Sequence, residues 1–407
     1  MMNLKILFVI VSLGMGGAER DLAEKLPRLR HLGVTTVVAS LRHRDEGVQT
    51  ALQKQGFDVR ILPVSRLIGR ITALRRIIRT EQPDVIQTVL FHADIAGRLA
   101  AIGTSVKVIS RLVNTDCDMV RLQDPTVKVT RLRLARVIDG WTARHLTHHI
   151  YVNSNAVKTA AMTDLSIPAE KITVIKEARD AERLGKPSLP RRNRARSKLG
   201  LNEDQKVLVT IGRQDFQKGQ RYLLEAMGML VPTYPQIVLL VAGRSGDVSG
   251  ELESLRHRLG LQDRVQFLGH REDVPEILAA ADLFVFPSFY ERLPGAVIEA
   301  MALGLPIIGS NIEPVRETVE EGRTAFLVPP AAPVQLAAAI TRLLEDPRTA
   351  QAAGRRSREI FEERFTLEQS VIGLMAYYQQ IISFNSKKNF PLTRHEVGSA
   401  VEDHVQI

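Results

Sequence analysis

The sequence predicts an α/β protein with two Rossmann-like domains that face each other across a cleft. Three observations lead there. Short apolar runs alternate with helical patterns through the first half of the chain, which argues for a parallel sheet covered on both faces. The alternation restarts after a polar, basic stretch at 183–196 that carries Pro187 and Pro190 and has the composition of a linker. The chain's 407 residues also exceed the usual size of one hydrophobic core. The expected division is a first domain over 1–185, a second over 186–365, a helix at 366–384 and a loose tail at 385–407. The helix at 366–384 either closes the second domain or crosses back to the first.

In the first half, strands are expected at 5–11, 35–40, 58–62, 85–89, 107–110 and 149–152. Helices fit between them at 19–32, 47–55, 68–81 and 94–102. At the third of these, over Leu67–Ile78, Leu67, Ile71, Leu74, Ile77 and Ile78 recur at helical spacing and form one apolar face. In the second half, strands are expected at 205–211, 237–242, 265–267, 283–286, 306–309 and 324–327. Helices separate them near 219–229, 250–259, 274–280 and from Gly295 to about Ala302. The run Ile237-Val238-Leu239-Leu240-Val241-Ala242 is apolar on both faces, as a central parallel strand must be. The strand at 283–286 stops at Pro287, which cannot donate to a ladder.

Composition narrows the function classes. With 44% apolar and 25% charged residues the chain is an ordinary globular protein. The single Cys117 excludes an internal disulfide framework and a cysteine-rich metal site, and suits a reducing, cytoplasmic compartment. No apolar run approaches the roughly 20 residues of a membrane-spanning helix. The apolar run from Ile6 to Leu13 resembles the apolar part of a signal segment, but it is only eight residues long and leads into a strand-to-helix glycine turn, which favours a first strand. The net charge of +10 lies in the first half, where 28 Lys and Arg face 18 Asp and Glu over residues 1–185. Its densest part, Arg66, Arg70, Arg75, Arg76 and Arg79, is expected on the outer face of one helix. That helix face is either ordinary solvated surface or a dock for an anionic membrane surface, which would make the protein peripheral at the inner face of the membrane. With 5% aromatics and none interleaved with this patch, nucleic acid is not an expected partner.

The motifs cluster at strand ends. Glu291 follows the strand at 283–286 and Glu299 lies eight positions later, about two turns into the next helix. Two carboxylates so placed can hold two parts of one long polyhydroxylated ligand. Gly14, Gly16 and Gly17 follow the first strand at a turn into a helix whose first amides can hold an anion. The spacing is not that of a dinucleotide fingerprint, so a nicotinamide cofactor is disfavoured. Arg213 and Lys218 lie between Gly212 and Gly219 after the first strand of the second domain, where fork and point charge can converge on one diphosphate. Gly243 is a further glycine turn at a strand end. The ten histidines form no two-His-plus-carboxylate cluster at metal-ligand spacing, so neither a metal nor a cofactor is expected.

The stretch from Glu291 to Glu299, followed by Ala300-Met301-Ala302-Leu303-Gly304-Leu305-Pro306, resembles the E-x7-E motif of retaining glycosyltransferases with two Rossmann-like domains (the GT-B fold). That large family includes bacterial mannosyltransferases and glycogen and sucrose synthases. The run Gly212-Arg213 to Lys218-Gly219 matches its G-R-x4-K-G signature, and the resemblance spans about residues 3–380. It implies that Gly16 and Gly17 face the donor diphosphate and sugar, and that Arg213 and Lys218 stabilise the departing diphosphate. It places Glu299 on the ribose, Glu291 with Leu293, Pro294 and Gly295 beside the donor sugar, Arg271 near the nucleobase and His92 near the transferred sugar. Anomeric configuration would be retained by front-face attack, the leaving phosphate oxygen helping to take the acceptor's proton.

The chain departs from the family pattern in places. Arg292 stands where glycine is usual, beside the donor sugar. Ala325 replaces a common glycine, whereas Glu317 keeps its usual place. The interdomain turn reads Glu177-Ala178-Arg179-Asp180 in place of Asn-Gly-x-Asp, removing a glycine and its easy access to positive φ. The expected activity is transfer of a hexose or N-acetylhexosamine from a UDP- or GDP-sugar to a sugar hydroxyl, with a lipid-linked glycan as one acceptor class. A two-domain sugar-nucleotide epimerase and a catalytically silent sugar-nucleotide-binding protein are the alternatives.

Overall fold

A computed structural model of the chain describes residues 4–14, 16–62, 64, 66–112, 129–291 and 294–383. Cys117, Arg292, Leu293 and the tail at 385–407 lie outside the described residues.

Each half builds one parallel sheet. The first contains β1 (Leu4–Ile10), α1 (Gly17–His31), β2 (Val34–Ser40), α2 (Gln49–Lys54), β3 (Asp58–Ile61), α3 (Leu67–Glu81), β4 (Val85–Val89) and α4 (Phe91–Ala100). It continues with β5 (Lys107–Leu112), α5 (Val129–Leu146), β6 (His149–Val152), α6 (Asn155–Leu165) and β7 (Ile172–Val174). Its strand order is β3-β2-β1-β4-β5-β6-β7. After α7 (Ala181–Leu184) and α8 (Leu189–Lys198) comes the second set: β8 (Lys206–Ile211), α9 (Gln220–Leu230), β9 (Ile237–Ala242), α10 (Ser249–Arg258), β10 (Val265–Gly269), α11 (Val274–Ala280) and β11 (Leu283–Phe286). It ends with α12 (Gly295–Ala302), β12 (Ile307–Ser310), α13 (Glu313–Thr318), β13 (Ala325–Val328), α14 (Pro333–Glu345) and α15 (Pro347–Arg364), in strand order β10-β9-β8-β11-β12-β13. Both are twisted α/β sheets with the strand reversal, at β1/β4 and β8/β11, that opens a ligand crevice.

The strand sequences explain the two-sided cover. All six residues of β9 are buried, and the inward faces of the second sheet feed two apolar clusters, one beneath α12 and α15 and the other beneath α9 and α14. In the first domain α3, α4, α5 and α6 pack successively on one face, and α1 and α16 (Leu367–Ser383) pack on the other. Leu367, Val371, Leu374, Tyr377, Tyr378 and Ile381 of α16 join the core beneath α1, far from the helix's neighbours in sequence. The Tyr378 hydroxyl donates to Gln87 Oε1, and Gln87 Nε2 donates to the Tyr151 hydroxyl at 2.7 Å. The two crossings between domains run side by side, with Arg179 N donating to Phe365 O at 2.9 Å.

Three sequence expectations are corrected. The stretch at 183–196 is not an open linker. Ser188 accepts from Arg191 N at 3.3 Å and Pro190 occupies the first turn, so a capped helix, α8, forms there. Arg70 is not on the outer face of α3. It is buried, its Nε donates to Val64 O at 3.3 Å, and burial lowers its pKa, whereas Leu67, expected inside, is exposed. The turn at Ala178 needs no glycine, because positive φ among described non-glycine residues occurs only at Gln82, Leu90, Ser166 and Ala331.

Candidate functional site

The carboxyl ends of both sheets face one cavity of about 710 Å³, lined from the first domain by Gly16, Gly17 and Glu19 and from the second by Arg213, Lys218 and Glu291. Gly243, Arg271, Gly295 and Glu299 also line it. A volume of this size suits a small-molecule or cofactor-sized ligand.

The second-domain wall is set by close backbone contacts. Gly219 sits at φ +59°, and a Cβ there would stand 2.1 Å from Pro287 O, so only glycine admits the turn that carries Lys218 to the cleft. Lys218 Nζ meets Glu291 Oε1 at 2.5 Å, which joins the loop after β8 to the loop after β11. Arg213 is paired with Asp215 through its Nε, and its side chain remains half exposed at the cavity edge. Arg271 holds Asp273 with Nε at 2.7 Å and Nη2 at 2.6 Å. Pro294 caps α12, and Glu299, on that helix, is buried.

The wall opposite Glu299 comes from a residue the motifs do not single out. Arg179 Nε donates to Glu299 Oε1 at 3.2 Å, and its Nη1 donates to Glu177 Oε1 at 2.8 Å and to Ala178 O at 2.9 Å. Burial lowers the Arg179 pKa, but Glu177 and Glu299 overcome it and raise it above the ordinary range. A Cβ on residue 295 would stand 2.0 Å from Arg179 Nη2, so Gly295 is what lets the guanidinium reach α12. The charges continue into the first domain. Arg111 Nη2 lies 3.6 Å from Glu177 Oε2 and Arg111 Nη1 lies 2.5 Å from Asp21 Oδ2, with Lys25 Nζ at 2.8 Å from Asp21 Oδ1. Burial would push the Asp21 carboxyl up, but Arg111 and Lys25 hold it below the usual carboxylate range. A buried alternation of charge therefore runs from α1 through the interdomain turn to Glu299.

A second cross-domain contact lies beside it. Glu317, on α13, accepts from Asn155 N at 2.8 Å and Ala156 N at 2.6 Å, so a carboxylate of one domain sits on the first amides of α6 in the other.

The structure gathers most of the sequence-predicted residues. Gly16, Gly17, Arg213, Lys218, Gly243, Arg271, Glu291, Gly295 and Glu299 share the cavity wall. His92 does not line it. It is exposed on the first turn of α4 with its ring 5.4 Å from that of Phe91, while Ala93, Asp94, Ala96 and Gly97 take the inward positions. Leu90, two residues earlier and at φ +76°, lines the cavity instead. Cavity residues to which the sequence motifs gave no role include Glu46, Asn153, Glu177 and Arg179. The signal available for Glu177 and Arg179 was the altered interdomain turn, which places two charges where the family pattern has an amide and a free position.

Comparison with known proteins decides the class. Residues 191–360 match the family model described as glycosyl transferases group 1, and residues 16–177 match the glycosyl transferase 4-like domain. The chain belongs to the glycosyltransferases. A 2-deoxystreptamine glucosyltransferase of Streptomyces kanamyceticus is 25% identical over 324 residues, covering 78% of this chain and 82% of the relative. An Escherichia coli UDP-Gal:alpha-D-GlcNAc-diphosphoundecaprenol alpha-1,3-galactosyltransferase is 27% identical over 264 residues, 63% of this chain and 65% of the relative. Among solved structures, Anabaena Alr3699/HepE in complex with UDP matches with a TM-score of 0.80 at 24% identity, over 93% of this glycosyltransferase and 100% of that chain, which establishes the two-domain GT-B fold. These family models and relatives are transferases, so the epimerase alternative is not favoured. No described helix of this glycosyltransferase is long and apolar enough to cross a membrane.

Proposed function

We propose that this glycosyltransferase moves a hexose or N-acetylhexosamine from a UDP- or GDP-sugar to a sugar hydroxyl with retention of anomeric configuration, and that the acceptor is a lipid-linked glycan. The observation that carries the donor reading is the single cavity where Lys218, Arg213, Glu291 and Glu299 meet the glycine turn at Gly16 and Gly17. The acceptor reading is supported by the resemblance to a galactosyltransferase whose name specifies a diphosphoundecaprenol-linked sugar.

In this reading the nucleotide lies against the second domain. Glu299 accepts from the ribose hydroxyls, and Arg179, bound to Glu299 Oε1, holds that side chain in place. Arg213 and Lys218 turn from Asp215 and Glu291 to the diphosphate and offset the charge that builds as the glycosidic C–O bond breaks. Glu291 and the backbone from Pro294 to Gly295 face the donor sugar. The leaving phosphate oxygen takes the proton of the attacking acceptor hydroxyl on the same face, so the new bond forms where the old one breaks. Fixed cations supply the neutralisation, and no metal or cofactor enters. His92 acts near the transferred sugar only if the first turn of α4 shifts toward the cleft on donor binding.

Two results test this. Glu299→Ala should weaken UDP or GDP binding by roughly 1–3 kcal/mol, because ribose hydroxyls lose their acceptor. Calorimetry showing unchanged affinity for both nucleotides in Glu299→Ala and in Arg213→Ala would remove the nucleotide assignment. Proton NMR of early product should show the donor's anomeric configuration, and an inverted linkage rejects front-face attack.

A further inference from the structure

Helix α5 presents an apolar stripe to solvent. Leu134, Val137, Ile138 and Trp141 fall at i, i+3, i+4 and i+7, one face of a helix, and are 62%, 68%, 37% and 52% exposed. Single exposed apolar residues are ordinary, but four large ones in one stripe are not. The opposite face of α5 is the one that packs. Leu132, Asp139, Thr142 and Ala143 are buried, and Asp139 binds the buried Arg98 of α4 at 2.6 Å. The helix is therefore pinned by a charge inside and shows its hydrophobic side outside.

The surroundings select a partner. Asp139 is the only acidic residue of α5 and it is spent on Arg98, whereas Arg133 and His145 are exposed beside the stripe, with the His145 ring 5.2 Å from that of Trp141. In the same helical layer, α3 exposes Leu67 and Ile68, the latter at 80%, together with Arg66, Arg75, Arg76 and Arg79. Ile102, at the end of α4 between them, is 49% exposed. One broad face of the first domain thus mixes protruding apolar side chains with arginines that have no acidic partner among the described residues, Arg75 donating to the carbonyls of Ala100 and Ile102, in the half of the chain that holds the whole net charge of +10.

We infer that this face docks on the surface of an anionic lipid bilayer, with the α5 stripe entering the headgroup–acyl boundary and the α3 arginines above the headgroups. The apolar spread over separate helices of one layer fits an extended plane. Pairing with a second copy through the same face would oppose two basic surfaces. The inference rests on this surface alone and stands whether or not the acceptor is lipid-linked.

Trp141 is the only tryptophan of the chain, so its fluorescence reports on α5 without labelling. The whole protein is titrated with phosphatidylcholine vesicles and with vesicles that also contain phosphatidylglycerol. With the anionic vesicles the emission should shift to the blue, be quenched by brominated acyl chains, and lose these responses as salt rises. Leu134→Ser with Val137→Ser should weaken vesicle binding at least tenfold while UDP affinity and melting temperature stay unchanged, since neither side chain is packed. Arg75→Gln with Arg76→Gln and Arg79→Gln should weaken it selectively at low salt. Three outcomes overturn the proposal: no spectral response to anionic vesicles, equal binding by the Leu134/Val137 variant, or a blue shift that follows protein concentration without lipid, which assigns the face to a second copy.

Discussion

Replacing Lys218 with alanine should lower kcat by about 100- to 1000-fold, the usual cost of one preorganised donor aimed at charge that develops in the transition state. Lys218 Nζ is held 2.5 Å from Glu291 and lies 5.7 Å from the centroid of the Phe286 ring, so its charge is already directed into the cleft. Little reorganisation is needed when a diphosphate displaces the carboxylate. Part of the interaction exists with the bound nucleotide, so UDP affinity also falls, but less than kcat, because charge on the bridging oxygen grows only as the sugar departs. Glu291→Gln keeps the shape of the loop while removing the competing charge, and its UDP affinity, measured with no donor sugar present, reads the Lys218–diphosphate contact by itself. Steady-state kinetics at saturating donor, with UDP calorimetry on the same variant, checks this. A Lys218→Ala enzyme with unchanged kcat and a raised KM would mean that Lys218 contributes only uniform binding.

Replacing Arg98 with methionine should destabilise the first domain by roughly 3–5 kcal/mol, the range for removing one partner of a buried ion pair. Arg98 is fully buried. Its Nη1 donates to Asp139 Oδ1 at 2.6 Å and to Thr142 Oγ1 at 2.9 Å, and its Nε donates to Ser110 Oγ at 3.0 Å. The guanidinium ties α4 to both α5 and β5. Without it the buried Asp139 and Asp94 side chains both lose their cation, which costs more than the lost bonds. Asp139→Leu alone should cost a similar amount, because Arg98 then lacks its main counter-charge. The Arg98→Met/Asp139→Leu double variant should recover part of the loss, since the buried Asp94, 3.9 Å from Arg98 Nη2, is then left without a cation beside it. Urea unfolding followed by circular dichroism measures all three. Single variants within 1 kcal/mol of the parent would show that Arg98 is solvated or repartnered. The same data bear on lipid docking, because this pair sets which face of α5 looks outward.

Much of this protein is decided locally. Continuous apolar runs such as Ile237–Ala242 can only be strands buried on both faces, and their alternation with helical spacing leaves a pair of parallel sheets as the architecture. The cavity residues were also legible, because glycine turns and charged residues at strand ends must lie at the carboxyl edge of a parallel sheet. Gly16, Gly17, Arg213, Lys218, Gly243, Glu291 and Glu299 reach one cleft for that reason.

Other features depend on contacts between segments far apart in the chain, for which no local pattern exists. β7 is three residues long and acquires its identity only by pairing with β6. The basic stretch at 183–196 becomes a helix because Ser188 caps it and Arg196 is bound by Asp282 and by the carbonyl of Ala280. Arg70 turns inward and Leu67 outward although helical periodicity ranks them the other way, because the backbone of Val64 offers the arginine a partner. Arg179 occupies the free position of the interdomain turn pattern, which assigns it no role. The fold brings it between Glu177 and Glu299, 120 positions apart from the latter, and the space left by Gly295 admits it. Helix α5, for which the sequence motifs set no expectation, turns its apolar residues outward while Asp139 pairs with the buried Arg98. Periodicity determines that a face is apolar. Which way the face points is decided by whichever buried charge finds its partner, since leaving that charge unpaired costs more than leaving several apolar side chains in water.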